Sequence, residues 1–380
     1  MDIILSTDAI SHPLTGIGRY TSQLARQLSQ RPEVGKIMFS HGGKLLPRIP
    51  EQQSRPPAVD WLRNNFSKYG MLLDAYRKTY SLAKAHSIRH LHNAVYHGTN
   101  YYLPKFAGKS LVTIHDMSVF TLQNCHREDR VRFLRREMTL SFTRAAVIIT
   151  VSEFSKREIM ARFDWPADRI HVTPLASADI FHPRPQAELM PILAQYKLLP
   201  NRYCLHLGTI EPRKNLDALL DAYRGLPLGL RSQFPLILSG SSGWNSEGLH
   251  ARLRNAAREG WLRYLGFVPD RNLPALLAGA RLFVFPSVYE GFGLPVLEAM
   301  SSGVPVICSN TSSLPEVAGN AAAMFSPDDT GQLASLIATG LENPQWRSTA
   351  TESGLRHAAR FSWEKCAELT LNAYAAAATL

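Results

Sequence analysis

Leu282-Phe283-Val284-Phe285-Pro286-Ser287-Val288-Tyr289-Glu290-Gly291-Phe292-Gly293-Leu294-Pro295-Val296-Leu297-Glu298-Ala299-Met300 decides how the chain folds. Leu282–Phe285 is a short, wholly apolar run, as in a strand buried on both faces of a parallel sheet. Gly291 and Gly293 let the backbone bend and approach a ligand closely. Residues 294–301 read as a helix, with Pro295 at a tolerated first-turn position. A strand, a glycine loop and a helix N-terminus make a site for an anion, because free N–H groups and the helix dipole both favour negative charge there. Glu290 precedes the loop and Glu298 lies on the helix. Carboxylates only accept hydrogen bonds, so both suit a hydroxyl-rich ligand such as a sugar or ribose. By itself, a glycine turn followed by a helix-start acid is an ordinary alternative.

The same alternation of apolar run and amphipathic stretch extends in both directions. Strand candidates before it are residues 203–207, 235–239 and 263–265, and after it residues 304–308. A separate series begins at Ile3-Ile4-Leu5 and includes residues 111–114 and 146–151. Between the series, residues 182–200 carry Pro183, Pro185, Pro191 and Pro200 and look like an interdomain connection. The expected architecture is α/β with two doubly wound domains, residues 1–180 and 181–360. A C-terminal helix, about 361–380, is expected to pack back on the first domain. Ligands bind at the carboxyl ends of strands in such sheets, so the cleft between the domains is the expected site.

Composition narrows the class. The chain has 380 residues, 45% hydrophobic and 19% charged, an ordinary globular balance. Its four cysteines are scattered without metal or redox spacing, as free thiols would be. The acidic start, Met1-Asp2, and its short apolar run do not resemble a signal peptide, which leads to the expectation of a soluble cytoplasmic protein. Of the net charge of +11, residues 1–180 hold nearly all, with 25 Lys/Arg against 15 Asp/Glu. An anionic partner or simply a solvated surface fits that asymmetry.

Further motifs lie near strand ends. Gly208-Thr209-Ile210-Glu211-Pro212-Arg213-Lys214-Asn215 places two adjacent cations in a loop, able to neutralise a diphosphate, although an isolated Arg-Lys pair is ordinarily solvated. Thr113-Ile114-His115-Asp116 puts a histidine at the carboxyl end of a strand. Gly16-Ile17-Gly18-Arg19 reads as a loop after the first strand. Ser239-Gly240-Ser241 and Gly266-Phe267-Val268 follow two further strands.

The segment Glu290-x7-Glu298 with its Gly-Phe-Gly-Leu-Pro core, extended from Phe285-Pro286-Ser287 to Gly303-Val304-Pro305-Val306-Ile307, resembles the signature of retaining GT-B glycosyltransferases, most closely glycosyltransferase family 4. The resemblance covers nearly the whole chain, strongly over residues 203–310 and more loosely over residues 30–95. It implies two Rossmann-like domains facing a central cleft. It places Glu290 near the donor sugar and Glu298 on the ribose. Gly291 and the backbone amides of Phe292, Gly293 and Leu294 would hold sugar hydroxyls and phosphate. Lys214 and Arg213 would stabilise the leaving diphosphate, and His115 would stand beside the transferring sugar. Asp116 would orient that imidazole or touch the acceptor. Gly16 and Gly18 would let their loop close over the donor phosphates, with Arg19 on the acceptor side. Ser239, Gly240, Phe267 and Val268 would contact nucleotide and base. Thr209 departs from relatives that carry Arg directly after the glycine, so fewer side chains are left for the diphosphate.

The resemblance further implies same-face attack on an oxocarbenium-like sugar without a metal ion or cofactor. Together with Tyr96-His97-Gly98-Thr99-Asn100, the motifs resemble bacterial mannosyl- and rhamnosyltransferases of lipopolysaccharide O-antigens. These point to a GDP-sugar donor and a lipid-linked glycan acceptor, with UDP-sugars left open. Arg127, Arg130, Arg132, Arg135, Arg136 and Arg144 form one basic stretch. Trp61, Tyr69, Tyr76 and Tyr80 interleave with Arg63, Lys68, Arg77, Lys78 and Lys84 in another. Such stretches suit peripheral binding to an anionic membrane face; no nucleic-acid module is recognisable. A phosphorylase, an epimerase or a non-catalytic nucleotide-sugar sensor would share the frame.

Overall fold

The computed structural model describes residues 1–380 except 12–13, 51–69, 123–124, 127 and 245. The chain divides into two compact units. The first comprises residues 1–117, 132–174 and 363–380, and the second comprises residues 118–131 and 175–362.

The first unit contains a seven-stranded sheet in the order β3-β2-β1-β4-β5-β6-β7. Its strands are β1 (Asp2–Ser6), β2 (Lys36–His41), β3 (Lys44–Leu46), β4 (Val95–Gly98), β5 (Ser110–Ile114), β6 (Val147–Thr150) and β7 (Ile170–Val172). All neighbours are parallel except β2 and β3, which form an antiparallel hairpin. The chain leaves β1 towards β2 on one side and returns through β4 on the other, so the strand order reverses between β1 and β4. The last helix, Trp363–Thr379, buries Trp363, Cys366, Ala367, Thr370, Leu371 and Tyr374 on one face. It lies along β4 to β7 and against the helix Gly16–Leu28.

The second unit contains a six-stranded parallel sheet in the order β10-β9-β8-β11-β12-β13. Its strands are β8 (Cys204–Leu207), β9 (Leu236–Ser239), β10 (Leu262–Tyr264), β11 (Leu282–Phe285), β12 (Val306–Ser309) and β13 (Ala323–Phe325). β8, β9, β11 and β12 are buried at every position, because helices cover both faces of a parallel sheet. Here the order reverses between β8 and β11.

Two expectations from sequence are corrected. Gly16-Ile17-Gly18 is not a loop but the first turn of the helix Gly16–Leu28: the Thr15 hydroxyl accepts the Gly18 amide at 3.2 Å and caps that end. The proline-rich connection contains a helix, Gln186–Gln195, with Pro191 inside it. Proline costs that helix one backbone hydrogen bond, and Leu189 and Leu193 hold it by burying their side chains where it packs on the helix Leu273–Ala278.

Candidate functional site

The two strands flanking the reversal in the second sheet, β8 and β11, carry the two loops that hold the charged motifs. Crevices at such reversals are where open α/β sheets bind ligands. From the β8 loop, Lys214 Nζ donates to Glu290 Oε1 at 2.6 Å, and Arg213 Nη1 donates to Glu290 Oε2 at 2.8 Å. The other edge of Arg213 reaches Glu211 Oε1, with Nη2 at 2.7 Å and Nε at 3.0 Å. Two cations and two carboxylates thus form one buried, charge-balanced cluster. Burial alone would raise the Glu290 pKa, but Arg213 and Lys214 bring it down to about 2. Burial pulls Lys214 below the ordinary lysine value against the attraction of Glu290.

The main chain around the cluster is fixed. The Glu290 amide donates to Ser312 Oγ at 2.9 Å, and Ser313 Oγ donates to the carbonyls of Glu290 and Phe292. Arg213 Nη1 also donates to the Tyr289 carbonyl. The helix Leu294–Ser301 begins at Gly293, whose φ of 110° is a conformation that a side chain would strain. Phe292 and Glu298 are buried beside that turn, within the same loop-and-helix start as Gly291 and Leu294.

Of the remaining donor-side candidates, Ser239 Oγ and the Gly240 amide both donate to the Gly266 carbonyl. Gly240 is packed so closely that a Cβ there would lie 1.9 Å from the Gly208 carbonyl oxygen. Phe267 and Val268 part company: Phe267 is 48% exposed and Val268 is in the core, so only its backbone is left to meet a ligand. His206, on β8, was not singled out from the sequence. Its Nδ1 donates to the Val284 carbonyl, and its buried Nε2 has no hydrogen-bond partner among the described residues. Burial, reinforced by Lys214, lowers its pKa to about 4. Its signal was a polar residue at the centre of the apolar run Leu205-His206-Leu207.

In the first unit, His115 immediately follows β5 and is buried. Its Nε2 donates to the Thr99 carbonyl at 2.9 Å, and Tyr20 and Tyr101 meet the ring edge-on. Thr99 and these rings orient the imidazole; burial holds its pKa below the ordinary value, against the Thr99 hydrogen bond and the charge of Asp116. A neutral imidazole donating from Nε2 keeps its lone pair on Nδ1. Behind it, Tyr20, Thr113, His97 and Tyr374 form a buried hydrogen-bonded chain. Gly18 belongs to packing, since a Cβ there would lie 2.7 Å from the Ala9 carbonyl oxygen. Gly16 and Arg19 share the first helical turn with it.

A second charged cluster sits at the reversal of the first sheet. Lys84 is fully buried; its ammonium pairs with Asp8 and donates to Ser6 Oγ at 2.9 Å. Asp8 also accepts from Tyr80 at 2.6 Å, the Gly42 amide at 3.0 Å and Tyr102 at 3.2 Å. Lys84 and Tyr80 therefore leave the basic surface expected from sequence, because their polar ends are consumed by Asp8. Arg144 likewise turns inward to the Leu103 carbonyl. Trp61, Arg63, Lys68, Tyr69 and Arg127 lie outside the described residues, as do the side chains of Tyr76, Arg77, Lys78 and Arg130.

The chain is similar to known proteins. The family profile described as "Glycosyl transferases group 1" matches residues 195–357, and that described as "Glycosyltransferase Family 4" matches residues 14–176. The chain is 43% identical over 382 residues to the O-antigen chain mannosyltransferase B of Escherichia coli, covering 98% of this chain and 99% of that protein. Among solved structures, a sucrose-phosphate synthase from Thermosynechococcus elongatus aligns with a TM-score of 0.70 at 21% identity, over 99% of this chain and 98% of the other. WaaG, a glycosyltransferase involved in lipopolysaccharide biosynthesis, aligns with a TM-score of 0.67 at 15% identity, over 98% of this chain and 99% of the other.

Proposed function

The chain belongs to the group 1, family 4 glycosyltransferases of the GT-B fold, and from that premise we propose that it moves mannose, or the related 6-deoxy sugar rhamnose, from a GDP-sugar to a lipid-linked glycan of the lipopolysaccharide O-antigen, with retention at the anomeric carbon. The end-to-end similarity to an O-antigen mannosyltransferase supports the sugar and the acceptor. The observation that carries the donor site is the Arg213–Lys214–Glu290 cluster at the reversal of the second sheet.

In this reading, Arg213 and Lys214 neutralise the diphosphate as its bond to the sugar breaks. The backbone at Phe292, Gly293 and Leu294 brings the helix N-terminus to the same charge. Glu290 holds sugar hydroxyls and Glu298 the ribose, while Ser239, Gly240, Phe267 and the Val268 backbone border the base. His115 offers its Nδ1 lone pair to the transferring sugar, with Arg19 and Asp116 on the acceptor side. The acceptor hydroxyl attacks on the face the diphosphate leaves, and a diphosphate oxygen takes its proton. Two cations and a helix end supply the positive charge a divalent ion supplies elsewhere, so turnover is expected to persist in excess EDTA. Among the described residues, no helix is long and apolar enough to cross a membrane. We propose peripheral attachment to an anionic membrane face, supported by Arg132, Arg135 and Arg136 on the helix Glu128–Arg144.

The test offers GDP- and UDP-sugars with and without lipid-linked acceptor and follows nucleotide release and the anomeric configuration of the product. Acceptor-dependent GDP release from GDP-mannose or GDP-rhamnose, with retention, is expected. Release from UDP-sugars alone, or an inverted product, defeats the reading; binding of one nucleotide without transfer to any acceptor would mark a sensor instead. Flotation with phosphatidylglycerol vesicles tests the membrane step, and protein left at the bottom of the gradient rejects it.

A further inference from the structure

We propose that Glu290 makes the donor site select sugar-bearing nucleotides over free nucleoside diphosphates, by pairing with the two cations that a diphosphate needs. The inference rests on the reading above, in which Arg213 and Lys214 meet the diphosphate and Glu290 meets the sugar.

The geometry commits the cations of the cluster to carboxylates. Each oxygen of Glu290 takes one cation, Oε1 from Lys214 at 2.6 Å and Oε2 from Arg213 at 2.8 Å. The rest of the Arg213 fork is held by Glu211. An arriving diphosphate must therefore displace a carboxylate rather than fill an open charge.

What happens to the displaced carboxylate sets the selectivity. A buried carboxylate without donors is costly, so Glu290 needs new partners once its cations turn to phosphate. A nucleotide-sugar brings hydroxyl donors on the hexose. A nucleoside diphosphate has no hexose, and its ribose hydroxyls go to Glu298 in the reading above, so Glu290 is left competing with it for the same cations. The exchange needs only a side-chain rotation, because the Glu290 amide and carbonyl are pinned by Ser312 and Ser313. The donor therefore binds with its full set of partners, and the diphosphate product is expelled as Glu290 swings back. This gives the enzyme resistance to inhibition by its own nucleotide product.

The experiment is calorimetric titration of wild type and Glu290→Gln with GDP and GDP-mannose, or with the uridine pair if that is what wild type binds, with melting curves on both proteins. Glu290→Gln removes the competing charge and keeps the shape. It should tighten GDP at least tenfold and leave GDP-mannose unchanged or weaker, so that selectivity for the sugar-bearing nucleotide collapses. Unchanged or weaker GDP binding by a folded Glu290→Gln protein overturns the inference alone. A wild type that binds none of these nucleotides overturns the donor-site reading and the inference with it. Should Glu290→Gln not fold, Glu211→Gln serves: freeing the second edge of Arg213 should also tighten GDP, by a smaller factor, and no change there counts equally against the proposal.

Discussion

Both sheets reverse their strand order once, and each reversal holds a buried cluster of opposite charges, yet the two clusters are built for different ends. In the first unit, Lys84 is 0% exposed and Asp8 also accepts neutral donors: Tyr80 from the same helix as Lys84, and the Gly42 amide and Tyr102 from two further segments. A competing anion would have to replace all of these at once. In the second unit, the Glu290 carboxylate pairs with two cations from a single short segment, Arg213 and Lys214, with side chains 16% and 9% exposed. A diphosphate can take both together. Under the proposed donor role, the same topology gives a closed strut in one unit and an exchangeable site in the other, and the donors around the carboxylate decide which.

The hardest test of this contrast is Lys214→Ala. If the second cluster is the working one, turnover should fall about 10³-fold, since removing one preorganised stabiliser of transition-state charge costs roughly 10²–10³ in rate. Glu290 keeps Arg213 in that variant, so the melting temperature should move by only a few degrees. A loss of stability as severe as the loss of turnover would show the cluster to be a strut like its counterpart.

The next test addresses the strut. Asp8→Ala leaves the Lys84 ammonium buried and unpaired, which should cost about 3–5 kcal/mol of stability. Adding Lys84→Met removes the stranded charge and should restore most of it. If Asp8→Ala alone costs less than about 1 kcal/mol, the first cluster is not what holds β1, the β2–β3 turn and the helix Gly70–Ile88 together.

The sequence exposed the second cluster far better than the first. Glu290, Arg213 and Lys214 lie in loops directly after apolar runs, so local pattern placed them at strand ends, and the helix Leu294–Ser301 was legible from its proline and glycine. Asp8 and Lys84 are 76 residues apart, and no local pattern joins them. Lys84 was assigned to a basic surface because it stands among basic residues. Its helical spacing from Tyr80 and from the buried Ile88 was the available signal that it shares their face. The helix Gln186–Gln195 was hidden by prolines whose local preference its buried leucines override. β4 was missed because Tyr96 and His97 interrupt an apolar reading, although both are fully buried.

The smallest effect expected is on pH dependence, where the two reversals should behave alike. Each has a buried histidine on a flanking strand, His97 on β4 and His206 on β8. Burial pushes the first down to about 3 and the second to about 4. Both folded values lie below the ordinary histidine value of about 6.5. The unfolded chain therefore binds more protons between that value and the folded one, and stability is fully present above about pH 6.5 and is lost as pH falls towards 4. Each histidine can contribute up to about 1.4 kcal/mol per pH unit in that window. Glu290, held at about 2, adds its own loss only below the ordinary carboxylate range. Scanning calorimetry from pH 7.5 to 4.5 should show both units melting earlier with acid. His97→Gln should flatten the dependence of the first unit and His206→Gln that of the second. If either variant leaves its unit as acid-sensitive as before, that histidine is already protonated in the fold, and the neutral hydrogen-bonding assigned to it is wrong.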